Sequence, residues 1–462
     1  MSFAAIAHHA VIRSGASRHA DIRYGSPDPR SRPGLLFLVL ERLFVFLLLL
    51  SSMNVITAFT PSSREETDVK TFSADVDRSS VAIEAGLYIF GGMLAVTRWR
   101  RVLWAARLTW PLLALAALAC LSTIWSVQPM VTLRRSILLL AATMIAIYLG
   151  ERYSIKAFSG LLAQTLCFMM VLVLVLYWVA PGYVIDYSAY GGAWKGLSSY
   201  KNTFGAHMAV AVLLLVLVRF RSFDWARWVF LLIAASLLLL SRSATAIVCG
   251  FLSLAVIPLW RLMRGGQRLL VYALAALTFF VGIYCILVFP EPLLQLLGRD
   301  ASLTGRTRLW AILLPVIASH PLLGYGYSAF WAGMKPEVLS VWIDAGRLVP
   351  IADNGYLDLS LSLGIVGAGI FLYVFVRVFR MAVEYIKCQP GSIGLWPVTY
   401  LCIFAVDNVC ESALLTRGTF PFLVFAILAT SLSVHDKRLA TPARAVDNQP
   451  FMWEWTPPLI SR

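Results

Sequence analysis

The sequence is poor in charged residues, and its cysteines and histidines show none of the spacings of a metal site. Charged side chains make up 14% of the 462 residues, whereas about 25% is usual for a globular protein. No two of the seven cysteines form a CxxC pair, and the six histidines form no HExxH motif. These absences exclude the common zinc-binding motifs and argue against a disulfide framework.

Long apolar runs are abundant instead. Hydrophobic residues make up 59% of the chain, and the mean hydropathy is +0.77. Runs of about 20 residues, long enough to cross a bilayer, recur from end to end. The pattern predicts an all-α polytopic membrane protein with about twelve spans. The predicted spans are 35–59, 81–97, 108–126, 133–150, 157–180, 203–219, 226–240, 244–260, 269–289, 355–376, 393–409 and 418–434.

The basic residues predict how these spans are oriented. Cytoplasmic loops collect Lys and Arg, and the segments 98–101 and 219–227 are rich in arginine. Both termini are therefore predicted to be cytoplasmic, with a basic, disordered tail at 1–33, a membrane domain at 34–434 and a second tail at 435–462. The net charge of +15 would suggest nucleic acid in a soluble protein. In this topology it predicts no nucleic-acid partner.

One predicted outer loop, 290–354, is too polar to span a membrane and too long to be a plain connector. Loops of this size are usually functional or disordered. Apolar residues at helical spacing within 305–331 favour an ordered loop, with a helix lying on the membrane surface. These residues are Leu309, Trp310, Leu313, Val316 and Ile317.

The stretch "LLLLSRSATAIV", residues 237–248, places one arginine between two apolar runs. An arginine at the centre of a bilayer costs roughly 2.5–3.5 kcal/mol on insertion scales. The topology puts Arg242 in a tight outer turn, near the surface yet partly buried. It belongs to a group of basic residues predicted on the outer side, where basic residues are disfavoured: Arg134, Arg135, Lys195, Lys201, Arg242, Arg299, Arg306, Arg308, Lys335, Arg347 and Arg417.

Two interpretations of this basic group are open. Long side chains that snorkel to the interface would explain any one member. Phosphate recognition would explain the whole group, because arginine offers a planar fork of donors. Snorkelling is least persuasive for Arg242 and Arg306, which occur in tight turns. Arg306 follows Thr304 and Gly305 at the predicted start of the surface helix, where a cation and free N–H groups together form an anion site.

Span ten opens with "IADNGYLDLSLSLGIVG", residues 351–367. Asn354 and Asp358 are four residues apart and so share a helical face. Asp353 directly precedes the helix. It is either an ordinary N-cap or a carboxylate that orients or deprotonates an acceptor hydroxyl.

The segment "GLSSYKNTFGAHMA", residues 196–209, brings Lys201 and Asn202 to the outer mouth of span six. His207 lies about one turn deeper in the same span. A histidine in that position is a proton relay or, more often, a hydrogen bonder between packed helices.

The segment "DNVCES", residues 407–412, puts Asp407 and Glu411 four residues apart near the outer end of span eleven. Arg417 follows closely in sequence, so a structural ion pair with this arginine is the simpler interpretation. His320, which precedes a proline in the long loop, is predicted to lie in a turn rather than to act as a catalyst.

In this order and spacing, the motifs resemble those of the O-antigen ligase and polymerase superfamily. They are most similar to the rhizobial-type exopolysaccharide polymerases. The likeness covers roughly residues 110–430, and the shared outer placement of the motifs makes the combination specific. The matching motifs are "SSYKNTFG", "SRSA", "GRTRLW", "HPLLGYGYSAF", "DNGYLDLSLSLGIVG" and the glutamate–serine pair of "DNVCES".

The resemblance implies a membrane glycosyltransferase with a helical fold of the GT-C kind. Its donor would be a glycan on undecaprenyl pyrophosphate. Its acceptor would be a sugar hydroxyl on a second lipid-linked unit or, in ligases, on lipid A-core. No metal, nucleotide sugar or other cofactor is implied, because arginines can stabilise the charge that develops on the leaving pyrophosphate. The family's two arginines fall on Arg242, in the "SR" turn, and on Arg306.

One position departs from the ligases of this family. They have a histidine–asparagine pair where this chain has Asp353 and Asn354. A histidine proposed to assist the acceptor is therefore absent. Either Asp353 is the substitute base, or catalysis proceeds without one. The change suits a polymerase better than a ligase.

The sequence thus predicts an exopolysaccharide polymerase of the bacterial inner membrane, which joins lipid-linked repeat units at the periplasmic face. The predicted partners are the lipid-linked oligosaccharide, the bilayer, a chain-length regulator and export proteins. The predicted catalytic residues are Arg242, Arg306, Asp353 and Asn354. The predicted substrate-binding residues are Lys201, Asn202, Arg308, Tyr356, Asp358 and Glu411.

Two other functions stay open. An O-antigen ligase would share the fold and the donor. A flippase or solute transporter would also fit about twelve spans with buried polar groups, but it should show related halves or helices broken at the midplane. The sequence shows no internal repeat, and its polar residues gather at one surface, which favours the enzyme.

Overall fold

In the computed structural model, the described residues are 35–59, 78–187, 192–220, 224–262, 306–389 and 392–440, and these ranges are mostly helical. Their compact unit is Glu41–Arg438. Strand pairing within these ranges is confined to β1 Ile185–Asp186 and β2 Ala193–Trp194, which are antiparallel. The helices are α1 Leu35–Ser52, α2 Arg78–Thr97, α3 Trp99–Leu108, α4 Trp110–Leu121, α5 Pro129–Arg152, α6 Ile155–Val179, α7 Lys201–Leu217, α8 Asp224–Leu240, α9 Ala244–Leu262, α10 Arg306–Ser319, α11 Pro336–Ala345, α12 Gly355–Cys388, α13 Trp396–Cys410 and α14 Phe420–Ala440.

Helices lie at eleven of the twelve predicted spans, and the remaining one, 269–289, lies outside the described residues. The tail at 1–33 and the loop residues 290–305 also lie outside them. By length and apolar composition, six segments of the described chain could cross a membrane, or up to seven if the bent pair α3–α4 is one span. The prediction of an all-α polytopic membrane protein is confirmed, whereas the total of twelve spans stays a prediction.

A sharp bend falls within the predicted span 108–126. Helices α3 and α4 meet at Thr109, and their axes differ by 91°. Thr109 leaves helical geometry, with φ −105° and ψ 25°, and Pro111 lies in the first turn of α4. Proline is tolerated in a first turn, but it cannot continue a helix that arrives from upstream, because its ring clashes with the carbonyl four residues earlier. The predicted span therefore corresponds to α4, and α3 is a separate helix.

Helices α7 and α13 form the centre of the bundle. All fifteen residues of α13 are buried, and so are fourteen of the seventeen residues of α7. A helix that is apolar on all sides has to be surrounded by other helices, and α9 packs against both. The polar residues of these central helices lie at the start of α7 and at the end of α13. Their packing therefore brings polar groups to one end of the bundle.

A second group of buried charges lies at the opposite end of the bundle. It belongs to α1, to α5 and to the residue before α3. Arg152, at the end of α5, donates from Nε and Nη2 to both carboxylate oxygens of Glu41, at 2.8 and 2.9 Å. The hydroxyl of Tyr148 also donates to Glu41. Arg98 lies 3.7 Å from Glu151. Buried charges need such partners, because an unpaired one is strongly destabilising.

Residues 306–354, which we call the cap, have a hydrophobic core of their own. Its buried members are Leu309, Leu313, Tyr325, Phe330, Val338, Val341, Trp342, Val349 and Ala352, together with Leu361 of α12. The predicted helix is present as α10. Its apolar face packs against α11 and the rest of this core. The expected contact of that face with a membrane surface is corrected accordingly, because α11 supplies the apolar partner.

The long helix α12 is broken at Gly364, and the cap fills the break. Gly364 has φ +62° and ψ −162°, a conformation that is open to glycine and strained for other residues. The cap segment 321–326 lies in the gap and satisfies the backbone groups that the break would leave unpaired. The N–H donors and carbonyl acceptors are Ile365 to Pro321, Val366 to Leu322, Tyr325 to Leu361 and Gly326 to Ser362.

Hydrogen bonds also tie the cap to α5 and to the turn that precedes α5. The indole Nε1 of Trp125 donates to the carbonyl of Leu323 at 3.1 Å. Arg135 donates from Nη1 to the carbonyl of Ser328 at 2.5 Å and to its hydroxyl at 3.0 Å. Arg135 therefore fixes the position of the cap, which gives this member of the outer basic group a structural role.

A substitution at the helix break tests this arrangement. We expect Gly364→Ala to lower the free energy of unfolding by about 1–3 kcal/mol, because a Cβ at this position would overlap the Leu322 carbonyl. The matched control is Gly369→Ala in the same helix, where a Cβ meets no atom within 4 Å. That control should be stabilised by about 0.5–1 kcal/mol. Thermal unfolding of the two purified variants in detergent measures both effects. Equal melting temperatures of the two variants would contradict a helix break that requires glycine at position 364.

Candidate active site

Arg306 lies between two carboxylates at the end of the bundle that the cap covers. Its Nε atom is 3.6 Å from Oδ2 of Asp353, and its Nη2 atom is 3.4 Å from Oε1 of Glu411. The three residues begin α10, precede α12 and follow α13. Their side chains are 14%, 24% and 15% exposed, respectively. The fold thus brings together three predicted site residues that are far apart in sequence.

Asn202 joins these residues from α7. Its Nδ2 atom donates to Oε1 of Glu411 at 2.9 Å. The neighbouring Lys201 is the first residue of α7 and is only 5% exposed. We call Asn202, Arg306, Asp353 and Glu411 the Arg306 cluster. It contains one cation, two carboxylates and an amide.

Burial sets the protonation of this cluster. It raises the pKa of Glu411 to about 7, since the loss of solvation outweighs the attraction of Arg306. Burial also raises the pKa of Asp353, although Arg306 and Arg347 favour its ionised form. Burial alone would lower the pKa of Arg306, but Glu411 and Asp353 reverse this effect and raise it. Near neutral pH, Arg306 is therefore charged, and Glu411 exchanges between its two protonation states.

Arg242 occupies the turn between α8 and α9 in a left-handed conformation, with φ +49°. The flanking serines are buried and hold this turn: Ser241 Oγ donates to the carbonyl of Leu238 and accepts the N–H of Ser243. The Arg242 side chain is exposed, which corrects the expectation that it is partly buried. A left-handed non-glycine residue costs about 1–3 kcal/mol and is common at functional sites.

Cys410 connects this turn with the Arg306 cluster. Its thiol interacts with the side chain of Thr245, in the first turn of α9, and with the guanidinium of Arg306. Thr245 lies three residues beyond Arg242. The two arginines that the family resemblance singles out are therefore at the same end of the bundle.

The N-cap of α12 is Asn354, so the capping interpretation of Asp353 is wrong. Oδ1 of Asn354 accepts the N–H groups of Tyr356 and Leu357 at 3.0 and 3.1 Å, the usual bonds of an N-cap. Asp353 has φ +49°, and its carboxylate turns toward Arg306 instead. The left-handed backbone at Asp353 thus lets the two neighbouring side chains take different roles: Asn354 caps α12, and Asp353 pairs with Arg306.

Three residues predicted to bind substrate make hydrogen bonds within the protein, outside the Arg306 cluster. Two of the three bonds fix the cap, and the third joins α12 to α13. The Arg308 side chain is exposed to solvent, although it donates one of these hydrogen bonds. Their role toward a substrate stays a prediction. The bonds are Trp331 Nε1 to Asp358 Oδ1 at 2.7 Å, Arg308 Nη2 to the Asp344 carbonyl at 2.7 Å and the Tyr356 hydroxyl to the Ala405 carbonyl at 2.9 Å.

The predicted ion pair of Arg417 with the "DNVCES" segment is wrong. Arg417 Nη1 lies 3.2 Å from Oε2 of Glu84 in α2, whereas Glu411 pairs with Arg306. Proximity in sequence did not decide this pairing, because α2 and α10 bring closer partners from distant positions.

The two histidines considered in the sequence have packing roles. His207 is buried in α7, and its ring meets that of Phe420 edge-on at 4.9 Å. Its Nδ1 atom is 3.4 Å from the hydroxyl of Ser198. This agrees with the favoured packing interpretation. His320 follows α10 in a turn, as predicted, and its ring lies 4.3 Å from that of Tyr325, tilted by 44°.

Sequence reasoning missed Ser412 and Trp331. Ser412 Oγ accepts the N–H of Asn354 at 3.1 Å and also contacts Asp358. Ser412 directly follows Glu411 in the segment "DNVCES", so the sequence could have indicated it. Trp331 had no such signal, because only the folded cap brings it to Asp358. No group of three His, Cys, Asp or Glu side chains in the described ranges could hold a metal ion.

Substitutions of Asn354 separate its cap role from a catalytic one. We expect Asn354→Ala to lower the free energy of unfolding by about 1 kcal/mol, while Asn354→Ser keeps most of it, since serine is also a good N-cap. Both variants lose the amide nitrogen. If Asn354 acts only as a cap, the serine variant keeps its activity, and a large loss of activity in a stable serine variant would show a chemical role.

The part of the chain that carries this site is similar to known proteins. The family model described as "O-Antigen ligase" matches residues 228–372, a range that includes Arg242, Arg306, Asp353 and Asn354. The exopolysaccharide production protein ExoQ of Rhizobium meliloti (strain 1021) is 25% identical, over 67% of this chain and 73% of that protein.

A chain in the solved structure "Structural coordination of polymerization and crosslinking by a peptidoglycan synthase complex" aligns over 72% of this chain and 97% of its own length. The identity is 19%, and the TM-score is 0.36, too low to establish a common fold. The family match and ExoQ confirm the resemblance predicted from the motifs: this polytopic helical chain resembles the O-antigen ligase family, and the match to that family covers residues 228–372.

Proposed function

We propose that this protein is an exopolysaccharide polymerase. It joins repeat units carried on undecaprenyl pyrophosphate, at the periplasmic face of the bacterial inner membrane and without a metal. The hydroxyl at the non-reducing end of an incoming unit attacks the anomeric carbon of the growing chain. The lipid pyrophosphate leaves.

The observation that carries this proposal is the placement of Arg306. It is a partly buried, charged arginine between Asp353 and Glu411, at the same end of the bundle as Arg242. Positive groups held in a partly dry site stabilise charge that develops on phosphate oxygens. The resemblance to ExoQ, a protein of exopolysaccharide production, supports the substrate class.

The geometry of the ion pairs leaves Arg306 able to bind an anion. Distances of 3.6 and 3.4 Å to the two carboxylates are longer than the usual 2.7–2.9 Å or so of a charge-assisted hydrogen bond. The guanidinium has five N–H donors, so the carboxylates orient it without using all of them. Arg242, exposed in its turn, supplies a second cation. In this proposal Lys201 and Arg308 assist in binding the pyrophosphate, and Asp353 and Asn354 position the acceptor.

The distribution of basic residues supports the proposed orientation. Exposed arginines of α3 lie at the end of the bundle opposite the Arg306 cluster, as expected for a cytoplasmic surface. In the proposed topology both termini are cytoplasmic, and the Arg306 cluster then faces the periplasm. A chain-length regulator and export proteins are the proposed protein partners.

An O-antigen ligase is the second candidate, because the family model that matches this chain bears that description. The aspartate at position 353, where the ligases have a histidine, favours a polymerase. A flippase or transporter finds its clearest support in the break of α12 at Gly364, since broken helices occur in transporters. That break is filled by the protein's own segment 321–326, so its backbone groups are not free for a transported substrate.

Alanine substitutions test the proposed phosphate site. We expect Arg306→Ala and Arg242→Ala to reduce polymer formation by about 100-fold or more, with protein retained in the membrane and single lipid-linked repeats still made. Arg→Lys should also fail at a site that needs bidentate contact. The matched control is Arg134→Ala, an exposed arginine at the same end of the bundle, which should keep normal polymer length. Size analysis of polymer and of lipid-linked saccharides measures each.

A deletion strain distinguishes the candidate functions. Accumulated single repeats on lipid pyrophosphate are expected for a polymerase. Finished polymer still on its lipid would indicate a ligase, and saccharide confined to the cytoplasmic face would indicate a flippase. Normal chain lengths in both arginine variants would contradict the assignment of the site.

A further inference from the structure

Glu411 has an asymmetric set of contacts. Asn202 at 2.9 Å and Arg306 at 3.4 Å both donate to Oε1. Among the described residues, no hydrogen bond reaches Oε2. The side chain is 15% exposed, so one carboxylate oxygen is anchored while the other is available to a small group that enters the site.

The charges around Glu411 differ from those around Asp353. Glu411 faces one cation, Arg306, and two carboxylates, Asp353 and Asp407, beside the thiol of Cys410. Asp353 faces two arginines, 306 and 347. Burial and a neighbouring carboxylate both favour a proton on Glu411, whereas at Asp353 two arginines oppose the effect of burial and favour the ionised form. Of the two carboxylates, Glu411 is therefore better suited to bind and release a proton near neutral pH.

We propose that Glu411, and not Asp353, is the catalytic base that receives the proton of the attacking acceptor hydroxyl. This inference rests on the proposed polymerase function. In the step, the hydroxyl O–H bond breaks and its proton passes to Oε2. The oxygen's electron pair forms the new bond to the anomeric carbon. The bond from that carbon to the phosphate oxygen breaks, and its electrons leave with the lipid pyrophosphate, next to Arg306.

The replacement Glu411→Gln tests this role, because glutamine keeps an oxygen that can accept from Asn202 and Arg306 but cannot take the proton. In purified protein reconstituted with lipid-linked repeats, we expect kcat to fall by about 100-fold or more. Inhibition by undecaprenyl pyrophosphate should be unchanged. The wild-type kcat should rise as the pH increases through about 7, the pKa of Glu411, because the base must be deprotonated. The residual rate of Glu411→Gln should not depend on pH in that range.

Asp353→Asn is the matched control, since it neutralises the other carboxylate beside Arg306. It should keep a rise of kcat with pH, with the midpoint moved to lower pH, because one of the carboxylates that raise the pKa of Glu411 is gone. Full activity of Glu411→Gln, or loss of the pH dependence in Asp353→Asn only, would overturn the proposal. A Glu411→Gln variant that also lost inhibition by undecaprenyl pyrophosphate would show a positioning role instead. If Arg306→Ala is inactive while Glu411→Gln is active, the polymerase function stands and only the base is refuted.

A separate observation concerns α3, at the opposite end of the bundle. This helix turns 91° away from α4, which is the direction expected of a helix that lies along the membrane surface beside a crossing α4. Val102, Ala105 and Ala106 are buried against the bundle. The opposite side of the helix exposes apolar and aromatic residues together with three arginines: Trp99, Arg100, Arg101, Leu103, Trp104 and Arg107.

We infer that α3 is an interfacial helix that binds the headgroups of anionic phospholipids. Tryptophan prefers the membrane interface, and an arginine near an anionic surface is attracted to its headgroups. Arg98 is excluded from this surface, because it pairs with Glu151. This inference is independent of the proposed enzyme activity.

Lipid titration tests the surface. Adding phosphatidylglycerol to the detergent-purified protein should raise its melting temperature more than phosphatidylcholine does. The triple variant R100E/R101E/R107E should lose most of this difference, and the neutral R100Q/R101Q/R107Q should lose part of it. Arg134→Glu, an exposed arginine at the other end, should keep it. An unchanged phosphatidylglycerol response in both triple variants would overturn the inference.

Discussion

The architecture of the site depends on one partly buried arginine that requires anionic neighbours. Arg306 begins α10, and a guanidinium with so little exposure would be strongly destabilising without a partner. Its partners come from the turn before α12 and from the residue after α13, while Asn202 of α7 binds the same glutamate. One electrostatic requirement thus fixes four separate elements relative to each other. The burial that this arrangement imposes also raises the pKa of Glu411 to about 7.

The cap is held in place by backbone chemistry as well as by its own core. A helix inside a membrane protein cannot leave N–H and carbonyl groups unpaired, yet α12 is interrupted at Gly364. The segment 321–326 provides the missing partners. The same cap carries Arg306 at its beginning and Asp353 at its end. Gly364 therefore controls, through the cap, where both charged residues lie.

The two ends of the bundle differ in how completely their charged groups are paired within the protein. The Arg306 cluster is partly exposed and holds long ion pairs, and no described residue donates a hydrogen bond to Oε2 of Glu411. At the opposite end, Glu41 is held by Arg152 and Tyr148 through short bonds to both of its oxygens. The first arrangement retains donors and acceptors for a ligand, whereas the second is saturated within the protein. This contrast supports a functional assignment for the first and a structural one for the second.

The sequence by itself determined the helical class, the position of the apolar segments and the identity of the chemical groups. Apolar run length and motif order are local properties, so Arg242, Arg306 and Glu411 could be singled out without a structure. Tertiary structure decided the pairings: Arg417 binds Glu84 instead of its sequence neighbours, Asn354 is the cap in place of Asp353, and the apolar face of α10 packs on protein. Ion pairs and packing depend on distances between residues far apart in the chain, and these distances exist only after the helices have packed.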